Sequence, residues 1–325
     1  MLEKLKSKNW CRISYFNIAF YASIMWFWWL TLATKKLEEV YNTQTEIFVY
    51  LLYFTLIFFI IVNIIYIIKI FVNFSDVKSD FFHPVKSNFF PWIWKIFLIL
   101  SIWFFSINIE IARYLWIFWV IWQFIFTIII FRRWILCEMD IKSMNPLWFL
   151  PIVWNMLVPI AWVKLGYIEL SWFFFSIWII MWVVLFTIIM NRIIFHNPLP
   201  NKLFPTLIIL IAPPSVAFLS ITSLEWWNIT EIWKIFYYFW LFMFIVIATK
   251  INILVKINFF MSWWAYSFPI AVLTNATFLL YDKTGYAFLW NLGIFLFIIL
   301  VLIILVLVYY TVLWAKNREL CVEDF

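Results

Sequence analysis

Apolar runs long enough to cross a bilayer of about 30 Å recur ten times along this chain. They lie at roughly 13–34, 47–70, 89–107, 111–131, 146–163, 167–190, 203–224, 229–248, 259–281 and 286–314. Polar breaks such as KKLEEVYNTQTE (35–46), SDVKSDFFHPVK (75–86), RRWILCEMDIK (132–142) and HNPLPNK (196–202) separate them. In hydrocarbon every backbone N–H and C=O needs a partner inside the protein, so such runs fold as helices. Of the 325 residues, 67% are hydrophobic and 12% charged, which leaves too little polar surface to cover a soluble core. The fold class is therefore all-α integral membrane. Connections on the far side, INIE near Ile109 and KLGYIE near Gly166, are very short. Alternating long and short connections predict ten transmembrane helices arranged as five hairpins.

The charge distribution orients them. Residues 1–12 are a basic tail, and the run that follows is about 22 residues, too long for the apolar part of a cleaved signal. With the N-terminus inside, 16 of the 23 Lys and Arg residues fall in inner segments and 6 in outer ones, with Lys95 alone within a span. Basic residues accumulate on the cytoplasmic side, so both termini are expected there. The same bias accounts for the net charge of +7 without nucleic acid as a partner. Residues 13–314 form the transmembrane domain and 315–325 a cytoplasmic C-terminal tail. Cys11, Cys137 and Cys321 have no disulfide or metal spacing. His83 and His196 lack ligand-type neighbours, so no metal or cofactor is expected.

The eleven prolines divide the spans further. Pro84, Pro198 and Pro200 fall in inner loops. The rest occupy odd-numbered spans: Pro91 in the third, Pro146, Pro151 and Pro159 in the fifth, Pro205, Pro213 and Pro214 in the seventh, Pro269 in the ninth. Proline leaves a carbonyl unpaired, tolerable in a membrane only where protein or water satisfies it. The even spans are thus expected to be straight and lipid-facing, the odd ones kinked and internal.

Four stretches carry a resemblance: HPVKSNFFPWI (83–93), NPLWFLPIVWN (145–155), LPNKLFPTLIILIAPPSVA (199–217) and WWAYSFP (263–269). In this order they resemble the TehA-type tellurite-resistance/dicarboxylate transporter family, which includes bacterial TehA channels and plant guard-cell slow anion channels. The resemblance implies an inner ring of odd helices around a central pore in each protomer of a homotrimer. It also implies anion conduction and a pore-blocking phenylalanine on the ninth helix, which falls on Phe268. The chain departs from the family in its first span, where Phe20 and Tyr21 stand in place of small residues, and in lacking long regulatory tails.

Helical spacing puts Ala265, Phe268, Ala271, Val272 and Asn275 on one face of the ninth span, a single large ring among small side chains. A kink at Pro269 would present that ring at mid-membrane. Asn155, Pro213, Ser215, Thr274 and Thr277 are further candidates to line a pore. Lys95, if it faced the bore, would attract anions near the inner mouth.

These features favour a channel for small monovalent anions. The alternative is a secondary transporter of dicarboxylates, sulfite or tellurite-related oxyanions. A proton-coupled carrier normally keeps buried carboxylates, and every Asp and Glu here falls in a loop or at a span end. An intramembrane enzyme would need His, Asp or Cys at depth, which the inner spans do not offer.

Overall fold

The computed structural model describes residues 16–41, 45–83, 85–105, 107–225, 231–250, 252 and 256–317. The tail 1–12, most of 315–325 and Pro84 lie outside them. The described residues form helices and turns with no β-strand. Six helical stretches are long and apolar enough to cross a membrane: Ile47–Val72, Lys86–Phe104, Ile109–Leu136, Ile168–Phe195, Phe204–Leu224 and Ala287–Lys316.

Two kinds of segment alternate. The first kind is an uninterrupted α-helix: α2 (Ile47–Val72), α5 (Ile109–Leu136), α8 (Ile168–Phe195), α10 (Glu231–Ala248) and α12 (Ala287–Lys316). The second kind is composite. A 3-10 stretch, Lys86–Trp94, leads into α4 (Lys95–Phe104); Phe204–Ile211 leads into α9 (Ala212–Leu224); Met261–Tyr266 leads into α11 (Ser267–Thr284). Residues 146–165 alternate between the two forms, with α6 (Leu150–Val153) and α7 (Leu157–Trp162) between 3-10 turns. α1 (Phe20–Tyr41) is continuous, and α3 (Phe74–Phe82) is a short helix between α2 and Lys86.

Proline sets the composite pattern. Pro213 and Pro214 stand in the first turn of α9, and Pro269 in the first turn of α11. There a missing N–H costs little, because first-turn N–H groups have no partner four residues back within the helix. Pro269 therefore marks a change of helix type rather than a kink in a continuous helix. Carbonyls along the broken ladder are met from other segments. Gln123 Nε2 donates to the Pro151 carbonyl at 2.9 Å, and Ser220 donates to that of Met156.

Three polar breaks are more helical than the sequence suggests. α1 continues through 35–41, and α5 extends through Arg132 and Arg133 to Leu136. Buried Glu38 then closes the α1–α2 turn, accepting from Thr45 Oγ1 at 2.7 Å and from the Ile47 N–H at 2.9 Å. The 75–86 region is mostly the helix α3, whose Asp80 is buried between Lys69 (2.8 Å) and Lys86 (2.7 Å).

Each composite or internal segment packs on the continuous helix that follows it: α1 on α2, α4 on α5, α7 on α8, α9 on α10, α11 on α12. The internal segments also meet one another, α1 with α11, α11 with α9, and α9 with α7. α6 meets 86–94, and 86–94 meets α1. Every residue of α9 is buried, whereas α2, α5, α8, α10 and α12 expose rows of Ile, Phe, Leu and Tyr.

Candidate functional site

Two cavities lie end to end along the internal segments. The first, about 70 Å³, is at the 3-10 end. Its walls come from Asn17 and Ala19 ahead of α1, from Lys86, Phe89 and Trp92, from Leu147 and Leu150, from Leu203, Thr206 and Ile209, and from Ser262, Ala265 and Phe268. Lys202 also borders it. Four of these sets repeat at intervals of three. A 3-10 helix has three residues per turn, so side chains three apart stack in a straight row. That is why these four segments each keep a row on the cavity, with Val85, Phe260 and Met261 bordering it beside the rows.

The second cavity, about 470 Å³, is at the other end and is lined by the α-helical halves of the same segments. Trp29, Leu32, Lys36 and Glu39 come from α1, Leu98 and Ile102 from α4, Leu157 and Ile160 from α7, Leu219 from α9, and Asn275, Leu279 and Asp282 from α11. Here the intervals are three and four, the spacing of an α-helix face. Lys36 at its rim lies 3.5 Å from Glu39 and 3.7 Å from Asp282, tying α1 to α11.

Aromatic rings separate the two spaces. Phe268 is 1% exposed and forms the floor of the first cavity. Its ring centroid is 5.4 Å from that of Trp29, which lines the second cavity, and 5.5 Å from that of Trp154. Trp154 in turn meets Trp92 edge-on at 5.3 Å.

The predicted site residues distribute unevenly over this geometry. Ala265 and Phe268 border the first cavity and Asn275 the second. Ala271, Val272, Pro213, Ser215 and Asn155 are buried and border neither. Ser215 and Thr274 donate within their own helices, to Ile211 and Ile270 carbonyls, both at 2.8 Å. Thr277 meets Tyr237 of α10 at 3.1 Å, and Asn155 Oδ1 accepts from Thr127 of α5 at 3.2 Å. Such bonds between helices are worth roughly 0.6 kcal/mol on average. Lys95 also borders neither cavity; its ammonium lies against the faces of Trp154 and Trp92.

Sequence reasoning missed Trp29 and Trp154, because aromatic residues are too common in this chain to stand out. It also missed Lys86 and Lys202 at the first cavity. Their signal is legible in retrospect: both stand two residues after a proline and shortly before an aromatic-proline pair, in HPVKSNFFP and LPNKLFP. No cluster of His, Cys, Asp or Glu able to hold a metal occurs among the described residues.

Comparison with known proteins identifies the family to which the chain belongs. The family described as SLAC1, voltage-dependent anion channel, matches residues 15–312. The S-type anion channel SLAH2 of Arabidopsis thaliana is 30% identical over 268 residues, covering 80% of this chain and 50% of that protein. The guard cell S-type anion channel SLAC1 of the same plant is 29% identical over 77% of this chain and 46% of its own length. An uncharacterized transporter, MJ0762 of Methanocaldococcus jannaschii, is 24% identical over 88% and 90% of the two chains. This chain thus spans about half the length of the plant relatives. It is a multi-pass membrane protein, and it belongs to the SLAC1 voltage-dependent anion channel family.

Proposed function

We propose that this protein is a passive channel for small monovalent anions, with a pore inside each protomer closed by Phe268. In this reading ten transmembrane helices form five hairpins, and the internal member of each contributes to a ring around the pore. The protein resides in the cell membrane with both termini cytoplasmic and assembles as a homotrimer. The carrying observation is that both cavities are walled by the same five segments and are divided by the Phe268–Trp29 contact. Apolar walls make dehydration the main barrier, so large, weakly hydrated anions pass most easily. Lys86 and Lys202 bias the first cavity toward anions.

A passive channel is favoured over a coupled carrier of dicarboxylates, sulfite or tellurite-related oxyanions. The described carboxylates nearest the path, Glu39 and Asp282, stand at the rim of the second cavity rather than at depth. The test is anion current from purified protein in planar bilayers, wild type beside Phe268→Ala and Phe278→Ala. Phe268→Ala is expected to stay folded and conduct more, while Phe278→Ala, a ring packed on α12, conducts no better. A well-folded Phe268→Ala as silent as wild type, beside a conducting Phe278→Ala, moves the plug elsewhere. Saturable substrate exchange without channel current would favour the carrier.

A further inference from the structure

Lys95 opens α4 directly after the 3-10 stretch that holds Pro91, and its side chain is buried, with 1% exposure. Its Nζ has no hydrogen-bond partner among the described residues. Among the described residues no carboxylate is paired with it, and its ammonium lies against the faces of Trp154 and Trp92. An aromatic face attracts a cation but accepts none of its three N–H groups in the way an oxygen or an anion does. Trp154, whose face covers the ammonium, also has an indole Nε1 without an acceptor among the described residues. A buried ammonium held only by aromatic faces is short of a negative charge. Trp154 places this group beside the plug, because its other neighbour is Phe268.

We infer that Lys95 is the cation of an anion subsite inside the constriction, held shut by Trp154 when empty. The inference deepens the channel reading and rests on it for the path by which the anion arrives. An anion passing Phe268 meets the Trp154 ring, beyond which lies the ammonium. Displacement of that ring exchanges a cation–π contact for an ion pair. No covalent bond is made or broken. Monovalent anions fit such a subsite, since a single ammonium balances one charge and the surrounding Trp faces balance none. Lys95 would thereby set selectivity for anions over cations at the narrowest point, a role separate from Lys86 and Lys202 at the mouth.

The experiment has two arms. In planar bilayers under a potassium chloride gradient, Phe268→Ala is compared with Phe268→Ala/Lys95→Met and Phe268→Ala/Lys95→Arg. The Met variant should lose about tenfold in chloride conductance, and its reversal potential should move toward zero. The Arg variant should keep both. In the second arm, detergent-purified wild type and Lys95→Met are melted in sodium iodide and in sodium gluconate at equal ionic strength. Iodide should raise the melting temperature of wild type only, and in gluconate Lys95→Met should melt above wild type, having lost an unpaired buried charge. Wild type indifferent to iodide, or a Met double variant with unchanged reversal potential, overturns the subsite. If no variant conducts yet iodide protection depends on Lys95, the channel reading fails and the subsite stands. If Phe268→Ala conducts and Lys95 is inert in both arms, the channel reading stands alone.

Discussion

α9 and α12 are both apolar, yet they solve the problem of living in a membrane in opposite ways. α12 is 30 residues of unbroken helix without proline, and it turns Ile298, Leu302 and Leu305 outward with more than half their surfaces open. α9 follows a 3-10 stretch, carries Pro213 and Pro214 in its first turn, and is buried at every position. Lipid offers no hydrogen bond, so a helix that touches it must keep its ladder whole. A helix wrapped in protein can break its ladder, because neighbours such as Ser220 and Gln123 supply the missing donors.

The sharpest way to break that contrast is to exchange the two habits. Ile298→Pro puts a proline on the exposed face of α12, where no described neighbour packs to meet the freed carbonyl. It should cost about 3 kcal/mol or more, seen as loss of monodisperse protein on size-exclusion in detergent. Pro213→Ala in α9 should cost well under about 1 kcal/mol by thermal unfolding, since a first-turn position accepts either residue. Equal damage from both would mean that burial, not backbone satisfaction, separates the two classes.

A smaller effect probes the seam between the classes. A Cβ on Gly293 of α12 would lie 2.6 Å from the ring of Phe278 in α11, so the glycine permits the close approach of inner and outer helix. Gly293→Ala should cost about 1–3 kcal/mol by overpacking, read as a lower unfolding midpoint. An unchanged midpoint would show that the ring yields freely and that the seam is soft.

The smallest effect lies at the aqueous edge, where α3 hands over to the first 3-10 stretch. His83 Nδ1 accepts the N–H groups of Val85 (3.1 Å) and Lys86 (3.2 Å), which only a ring unprotonated at Nδ1 can do. Burial and nearby Lys86 lower its pKa below the usual 6.5, with Arg133 in the same sense and Asp80 opposing. The folded protein thus prefers neutral His83. Its contribution is complete above about pH 6.5, where the unfolded histidine titrates, and is lost as pH falls toward the lower folded value. Melting temperature should decline on acidification through that window, and His83→Asn, which keeps an acceptor, should flatten the decline. A variant with the wild-type pH profile would assign the decline to other groups.

Particular residues show what could be read from sequence and what could not. The boundaries of α2 and α12 and the C-terminal end of α9 follow from where apolar runs meet charge or turn residues, because the bilayer enforces that rule over the whole chain. The sequence singled out Phe268 because the residues around it, WWAYSFP, are specific as a set, and the structure places it at the first cavity. Trp29 and Trp154 did not stand out, since nothing in one dimension shows which of 25 tryptophans three segments bring together. The spacing argument put Ala265, Phe268, Ala271, Val272 and Asn275 on one face; Ala265 and Phe268 border the first cavity in a row of threes with Ser262, Asn275 borders the second, and Ala271 and Val272 border neither. Local helix type depends on hydrogen bonds that proline perturbs, so the period changed where the sequence looked continuous.

That change of period gives the two halves of the passage different tolerance to insertion and deletion. In the 3-10 half, one residue is a third of a turn and about 2 Å of length. Removing one residue from Phe204–Ile211 would swing Leu203 off the wall and draw the chain end inward by that distance. Removing three would restore the row and shorten the segment by about 6 Å. In the α-helical half no small number of residues restores the face so cleanly, because 3.6 does not divide into whole turns. Length variation among chains built this way should therefore come in steps of three on the first-cavity side of Phe268. On the second-cavity side it should be confined to the loops beyond the helix ends.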